Sequence, residues 1–94
     1  MKTTHRIFNK NSSKMKKISD NSIELIVTSP PYPMIEMWDT IFSKINPKIQ
    51  SKLKQKKDTE AYNLMHQELK KTWMECFRVL KQGGIICVNI GDAT

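Results

Sequence analysis

Apolar and polar positions along this chain follow two periods, and the switches between them mark the expected elements. Residues 23–28, "IELIVT", are β-branched and almost continuously apolar. That is the pattern of a strand buried on both faces in a parallel sheet, with Glu24 at its exposed start. "IICVNI" at 85–90 has the same character and predicts a second buried strand, closed by Gly91-Asp92. "HRIF" at 5–8 reads as a further short strand. Between the strands the period lengthens. Ile35, Trp38, Ile41, Phe42 and Ile45 fall on one helical face and predict a helix over 34–45. Tyr62, Met65, Leu69, Trp73, Phe77 and Leu80 recur at helical steps and predict a long helix with a core-facing stripe. Asp58 or Thr59 is its expected cap, and Gly83-Gly84 after Lys81 its expected end.

The remaining stretches are polar. "NSSKMKKI" (11–18) reads as one or two helical turns with Ser12 or Ser13 as N-cap. "DNS" (20–22) is a turn. "NPKIQSKLKQKKD" (46–58) opens with Asn-Pro and predicts an exposed connector with some helix. Strands alternating with helices predict an α/β fold with a parallel sheet and right-handed crossovers.

Composition bounds this picture. Ninety-four residues make at most one small domain, and a hydrophobic content of 38% allows only a thin core. Three parallel strands with open edges make a poor closed unit, so the sheet is expected to be completed by a second chain, by self-association or by residues beyond these. Nothing approaches a membrane-spanning apolar run, and the basic N-terminus lacks the apolar region of a secretory signal, so a cytoplasmic location is expected. Cys76 and Cys87 read as two reduced, buried thiols rather than a disulfide framework or zinc site. His5 and His66 stand alone, and no metal site is expected.

The net charge of +7 is concentrated in two blocks. Lys2, Arg6, Lys10, Lys14, Lys16 and Lys17 occupy residues 2–17 with no acid among them. Lys44, Lys48, Lys52, Lys54, Lys56 and Lys57 occupy 44–57, again with none. Such blocks suit a polyanion such as nucleic acid, or else form a solvated lysine-rich surface.

The candidate chemistry lies where the first strand stops, at Ser29-Pro30-Pro31-Tyr32. Ligands of open parallel sheets bind beyond the carboxyl ends of the strands. The prolines remove two backbone donors but keep their carbonyls as acceptors in a stiff loop. Ser29 adds an acceptor hydroxyl and Tyr32 a flat face. The set suits a planar ligand that presents an amino group, although the same residues would also serve as a rigid loop terminator. Trp38 reads either as helix core or as pocket wall or DNA contact.

"IVTSPPY" resembles the catalytic motif of amino-methylating DNA methyltransferases, whose loop reads Asp/Asn/Ser-Pro-Pro-Tyr. The serine form is similar to that of cytosine-N4 enzymes, and the aspartate form is usual among adenine-N6 enzymes. "HRIFNKNSSKM" resembles the family's strand and acidic turn, and "ECFRVLKQGGIICVNIGDAT" its helix, Gly-Gly turn and strand.

The resemblance implies a three-layer, Rossmann-like methyltransferase fold with a partial parallel sheet, residues 1–94 being the catalytic half. It implies S-adenosyl-L-methionine (SAM) as cofactor, double-stranded DNA as substrate and an accompanying restriction endonuclease. Ser29, Pro30, Pro31 and Tyr32 would form the catalytic loop. Tyr32 would stack on a flipped base, while Ser29 Oγ and the Pro30 carbonyl accept its two amino hydrogens. No Pro-Cys loop of the cytosine-C5 type is present, and neither cysteine is placed to attack a base. The acidic turn residue that reaches SAM aligns with Asn11, an amide in its place. Thr28 and Asn89 are further cofactor candidates at strand ends, and Lys48, Lys52, Lys54, Lys56 and Lys57 are DNA-binding candidates. The family's Phe-x-Gly-x-Gly turn for SAM has no counterpart among the three glycines. The isolated chain is therefore expected to be inactive. Adenine N6 is the alternative target, and a non-catalytic basic nucleic-acid-binding relic the alternative class.

Overall fold

The computed structural model describes residues 2–90. In chain order the elements are β1 (Ile23–Thr28), α1 (Glu36–Ile45), α2 (Pro47–Lys54), α3 (Asp58–Val79) and β2 (Leu80–Val88). The fold is α/β, with a two-stranded parallel sheet and three helices in the crossover between its strands. The register runs Leu25 to Ile85, Ile26 to Ile86, Val27 to Cys87 and Thr28 to Val88. The ladder continues one step further, where the Asn89 N–H donates to the Thr28 carbonyl at 2.9 Å. The Gly91-Asp92 close expected for the second strand lies outside the described residues.

Gly83-Gly84 does not end the long helix, which stops earlier, at Val79. Ile23 pairs with Leu80 and Leu25 with Ile85, so β2 carries extra residues opposite Glu24 and bulges. Gly83 makes the bulge possible with a φ of +80°, and a Cβ on Gly84 would come within 2.9 Å of the Leu80 side chain and the Lys81 carbonyl.

The strands are not buried on both faces as expected. Leu25, Val27, Ile85 and Cys87 share one sheet face through their register and pleat. Leu25 is 57% and Val27 72% exposed, and Ile85 and Cys87 are exposed as well. The apolar pattern is real, but no layer among the described residues covers that face. The expectation of two buried thiols holds for Cys76 and fails for Cys87.

The third strand, at 5–8, is not formed. Ile7 is 95% exposed, because Ile7-Phe8 is too short an apolar segment to pack without a neighbour. Phe8 instead lies under the Lys17 ammonium, 5.8 Å from its ring centroid. Residues 11–18 make separate turns rather than a helix, with Lys14 N–H donating to the Asn11 carbonyl and Ile18 N–H to the Met15 carbonyl. Neither serine caps them. Asn11 Oδ1 accepts from Ser13 N–H at 2.9 Å, an Asx bond that competes with helix, and Ser12 Oγ meets Thr72 Oγ1 on α3.

The helices hold the core. Phe42, Ile49, Ala61 and Met65 are buried together, with Trp38, Leu53, Leu64 and Leu69 packed against them. Trp38 is thus helix core. The polar connector does contain a helix, α2, capped by Asn46 Oδ1 accepting from Lys48 N–H, with Pro47 in the first turn. At α3 the N-cap is Lys57, without a side-chain bond, so neither Asp58 nor Thr59 caps it. Asp58 and Glu60 instead place negative charge in the first turn, where the helix dipole favours it. The buried positions of α3 are Ala61, Met65, Cys76 and Val79. Tyr62 and Phe77, expected in the stripe, are exposed, Phe77 by 84%. Of the expected stripe only Met65 is buried, because small Ala61 rather than Tyr62 lets α2 approach closely.

Candidate active site

The Ser-Pro-Pro-Tyr loop leaves the sheet at the carboxyl end of β1, beside the residues that follow β2. Pro30 is buried, Pro31 and Tyr32 are half-buried, and Ser29 is exposed. The proline thus anchors the loop while the serine hydroxyl stays accessible. Three contacts converge on one residue. Asn89 N–H donates to the Thr28 carbonyl at 2.9 Å. Ser29 Oγ donates to the Asn89 carbonyl at 3.5 Å, and Tyr32 Oη donates to the same carbonyl at 3.3 Å. Ser29, Pro30, Pro31, Tyr32, Thr28 and Asn89 are therefore gathered at one sheet end, as parallel-sheet topology requires.

The far end of the loop is fixed by a residue the sequence did not single out. Met34 has a φ of 69°, a left-handed conformation, and its N–H donates to Asp39 Oδ1 at 2.8 Å. Asp39 stands in the first turn of α1 and reaches back to the chain that enters it. Burial raises its carboxyl pKa, the Met34 N–H opposes that, and neighbouring Glu36 adds to the rise. The available signal was an acid one turn into a helix that directly follows a proline-rich loop.

Asn11 is not brought to this cluster by its contacts. Its side chain is engaged with Ser13, and it borders a separate cavity of about 440 Å³ with Phe8, Lys10, Lys14, Met15 and Lys17. Lys48, Lys54, Lys56 and Lys57 lie exposed on and just after α2. Lys52 is half-buried and pairs with Glu60 at 2.9 Å, which offsets part of the block's charge. Lys54 also lines a groove of about 760 Å³ with Met34, Asp39, Ser43 and Pro47, which joins α2 to the end of the loop.

Of the three cofactor candidates, Asn11 accepts from Ser13 N–H through its side chain, while the Thr28 carbonyl and the Asn89 N–H and carbonyl are bonded within the cluster. Gly83 and Gly84 lie in the bulge near the start of β2, at the end of the sheet away from Ser29.

Comparison with known proteins bears on the whole chain. It is 57% identical over 95 residues to the Type II methyltransferase M.MthZI of Methanothermobacter thermautotrophicus, covering 100% of this chain and 27% of that protein. It is 48% identical over 103 residues to the Type II methyltransferase M.MjaI of Methanocaldococcus jannaschii, covering 98% of this chain and 34% of that protein. The chain thus spans about a third or less of the length of these relatives. No solved structure matches it. The DNA methylase family model matches residues 23–94, from the first residue of β1 through the Ser-Pro-Pro-Tyr loop and beyond β2, and on that match the chain belongs to the DNA methylase family.

Proposed function

We propose that the chain carries the catalytic loop of a DNA methyltransferase that transfers a methyl group from SAM to the exocyclic N4 of cytosine. The observation that carries this reading is the convergence of Ser29 and Tyr32 on the Asn89 carbonyl at the carboxyl ends of a parallel strand pair. An amino nitrogen conjugated to a base ring is a poor nucleophile. Acceptors on both of its hydrogens draw electron density towards the nitrogen and stabilise the positive charge that develops as it reacts. Ser29 Oγ and the Pro30 carbonyl are the two acceptors, and Tyr32 presents its ring to the flipped base. No covalent enzyme intermediate is needed, because positioning and electrostatics suffice.

SAM supplies the methyl group; Asn11, Thr28 and Asn89 are the candidate contacts to it within this chain, and the relatives' greater length leaves room for the rest of its cradle. The exposed face of Leu25, Val27, Ile85 and Cys87 is the surface on which the remaining layers of the enzyme pack. The relatives' greater length supports that completion. The α2 lysines contact the DNA backbone. No helix among the described residues is long and apolar enough to cross a membrane.

The test is nucleoside analysis of DNA methylated by the protein with its sheet completed. N4-methylcytosine is the expected product. N6-methyladenine would overturn the base assignment, and DNA without any methylated amino group would overturn the activity.

A further inference from the structure

The geometry points to the Asn89 main-chain carbonyl as a positioning group that selects serine over aspartate at position 29. This rests on the methyltransferase reading above and specifies how its loop works.

A serine hydroxyl is ambiguous. It carries one donor and two acceptor lone pairs. If its proton turned to the target amino group, it would occupy the nitrogen lone pair that must attack. The structure gives that proton another destination. Ser29 Oγ donates to the Asn89 carbonyl, leaving its lone pairs to accept from the base. Tyr32 Oη donates to the same oxygen, so one carbonyl orients the acceptor and steadies the platform together. Asn89 is in turn tied to Thr28 by its own N–H, so the sheet register itself fixes where the carbonyl points. At 3.5 and 3.3 Å both hydroxyl bonds are long, and bonds of this kind tighten when substrate enters a catalytic site.

The side chain at position 29 therefore has two duties, donating to Asn89 and accepting from the base. Serine performs both, and so does asparagine, through its amide nitrogen and oxygen. Ionised aspartate only accepts, and it would face the Asn89 carbonyl oxygen with no proton between them. If the residue had only to accept, aspartate would be the better choice.

The experiment compares Ser29→Asn, Ser29→Asp and Ser29→Ala in the completed enzyme, measuring kcat and KM for DNA, with SAM affinity as the check on folding. Ser29 is exposed, so none of these changes disturbs the core. Ser29→Asn is expected to hold kcat within about tenfold of the parent, while Ser29→Asp falls with Ser29→Ala by about a hundredfold or more. KM for DNA should stay nearly constant across the series. Ser29→Asp equal to or faster than Ser29→Asn overturns the inference while leaving the methyltransferase reading intact. A parent enzyme that methylates no amino group overturns both.

Discussion

Glu75 and Arg78 stand one turn apart on α3 and grip the same stretch of chain from two sides. Arg78 Nε and Nη2 donate to the two Glu75 oxygens at 2.9 and 3.0 Å. Glu75 Oε2 also accepts from Met15 N–H at 2.6 Å. Arg78 reaches the Met15 and Ile18 carbonyls and the Asp20 carboxylate as well. A segment with no helix or strand of its own is thereby fastened to α3 just before β1 begins. Bidentate pairing of this kind is specific to a planar guanidinium, which lysine cannot reproduce. Arg78→Lys and Arg78→Ala should both release residues 15–20. Tryptic cleavage after Lys16 and Lys17, in the chain with its sheet completed, should rise on the order of tenfold. An unchanged cleavage rate would show that the segment is held by other bonds.

The same pair sets an acid limit. The Arg78 guanidinium, helped by the Met15 N–H, lowers the Glu75 pKa from 4.5 to about 2. A carboxylate whose pKa is depressed by folding stabilises the native state above its unfolded pKa, and the contribution disappears as pH falls through the folded value. Stability from this group should therefore be complete above pH 4.5 and fade towards pH 2. Thermal unfolding followed across that range should show a weaker acid dependence in Glu75→Gln than in the parent.

Removing the chemistry should spare the binding. In the completed enzyme, Ser29→Ala and Tyr32→Ala are expected to lower methyl transfer by at least about a hundredfold while salt-dependent DNA affinity changes little. A fall in DNA affinity in parallel with activity would assign the loop to binding instead.

The lysines should behave in the opposite way. Replacing Lys48, Lys54, Lys56 or Lys57 by alanine should weaken DNA binding with little regard to sequence. The salt slope should shrink by about 0.9 for each phosphate that a lysine no longer neutralises. Lys52, already paired with Glu60, should contribute less than the other four. Equal effects from all five would mean that the ion pair opens on binding.

The uncovered sheet face gives a thiol readout. Cys87 is exposed and Cys76 is buried, with burial as the main cause raising the Cys76 thiol pKa. In the isolated 94-residue chain Cys87 should alkylate much faster than Cys76, by about tenfold or more, and methyl transfer should be absent. Completing the sheet should protect Cys87 and bring activity with it. Continued rapid labelling in an active enzyme would show that the face stays open.

The local elements and the loop were legible in the residues alone. "IELIVT" could form little but a strand, and β1 has the bounds its composition implies. Helical spacing placed α1 and α3, and Asn46-Pro47 opened α2 as its turn chemistry suggests. Ser29 to Tyr32 stood out because two prolines and an aromatic residue follow directly on an apolar strand. What depends on distant partners emerged only on folding. Met65 is buried where Tyr62 and Phe77 are not, since the buried face of α3 is set by how closely α2 can approach Ala61. Gly83-Gly84 forms a bulge rather than a helix end, because the register with β1 must absorb extra residues. The convergence of Ser29 and Tyr32 on Asn89, some sixty residues away, follows from the register of the parallel pair, which no local pattern encodes.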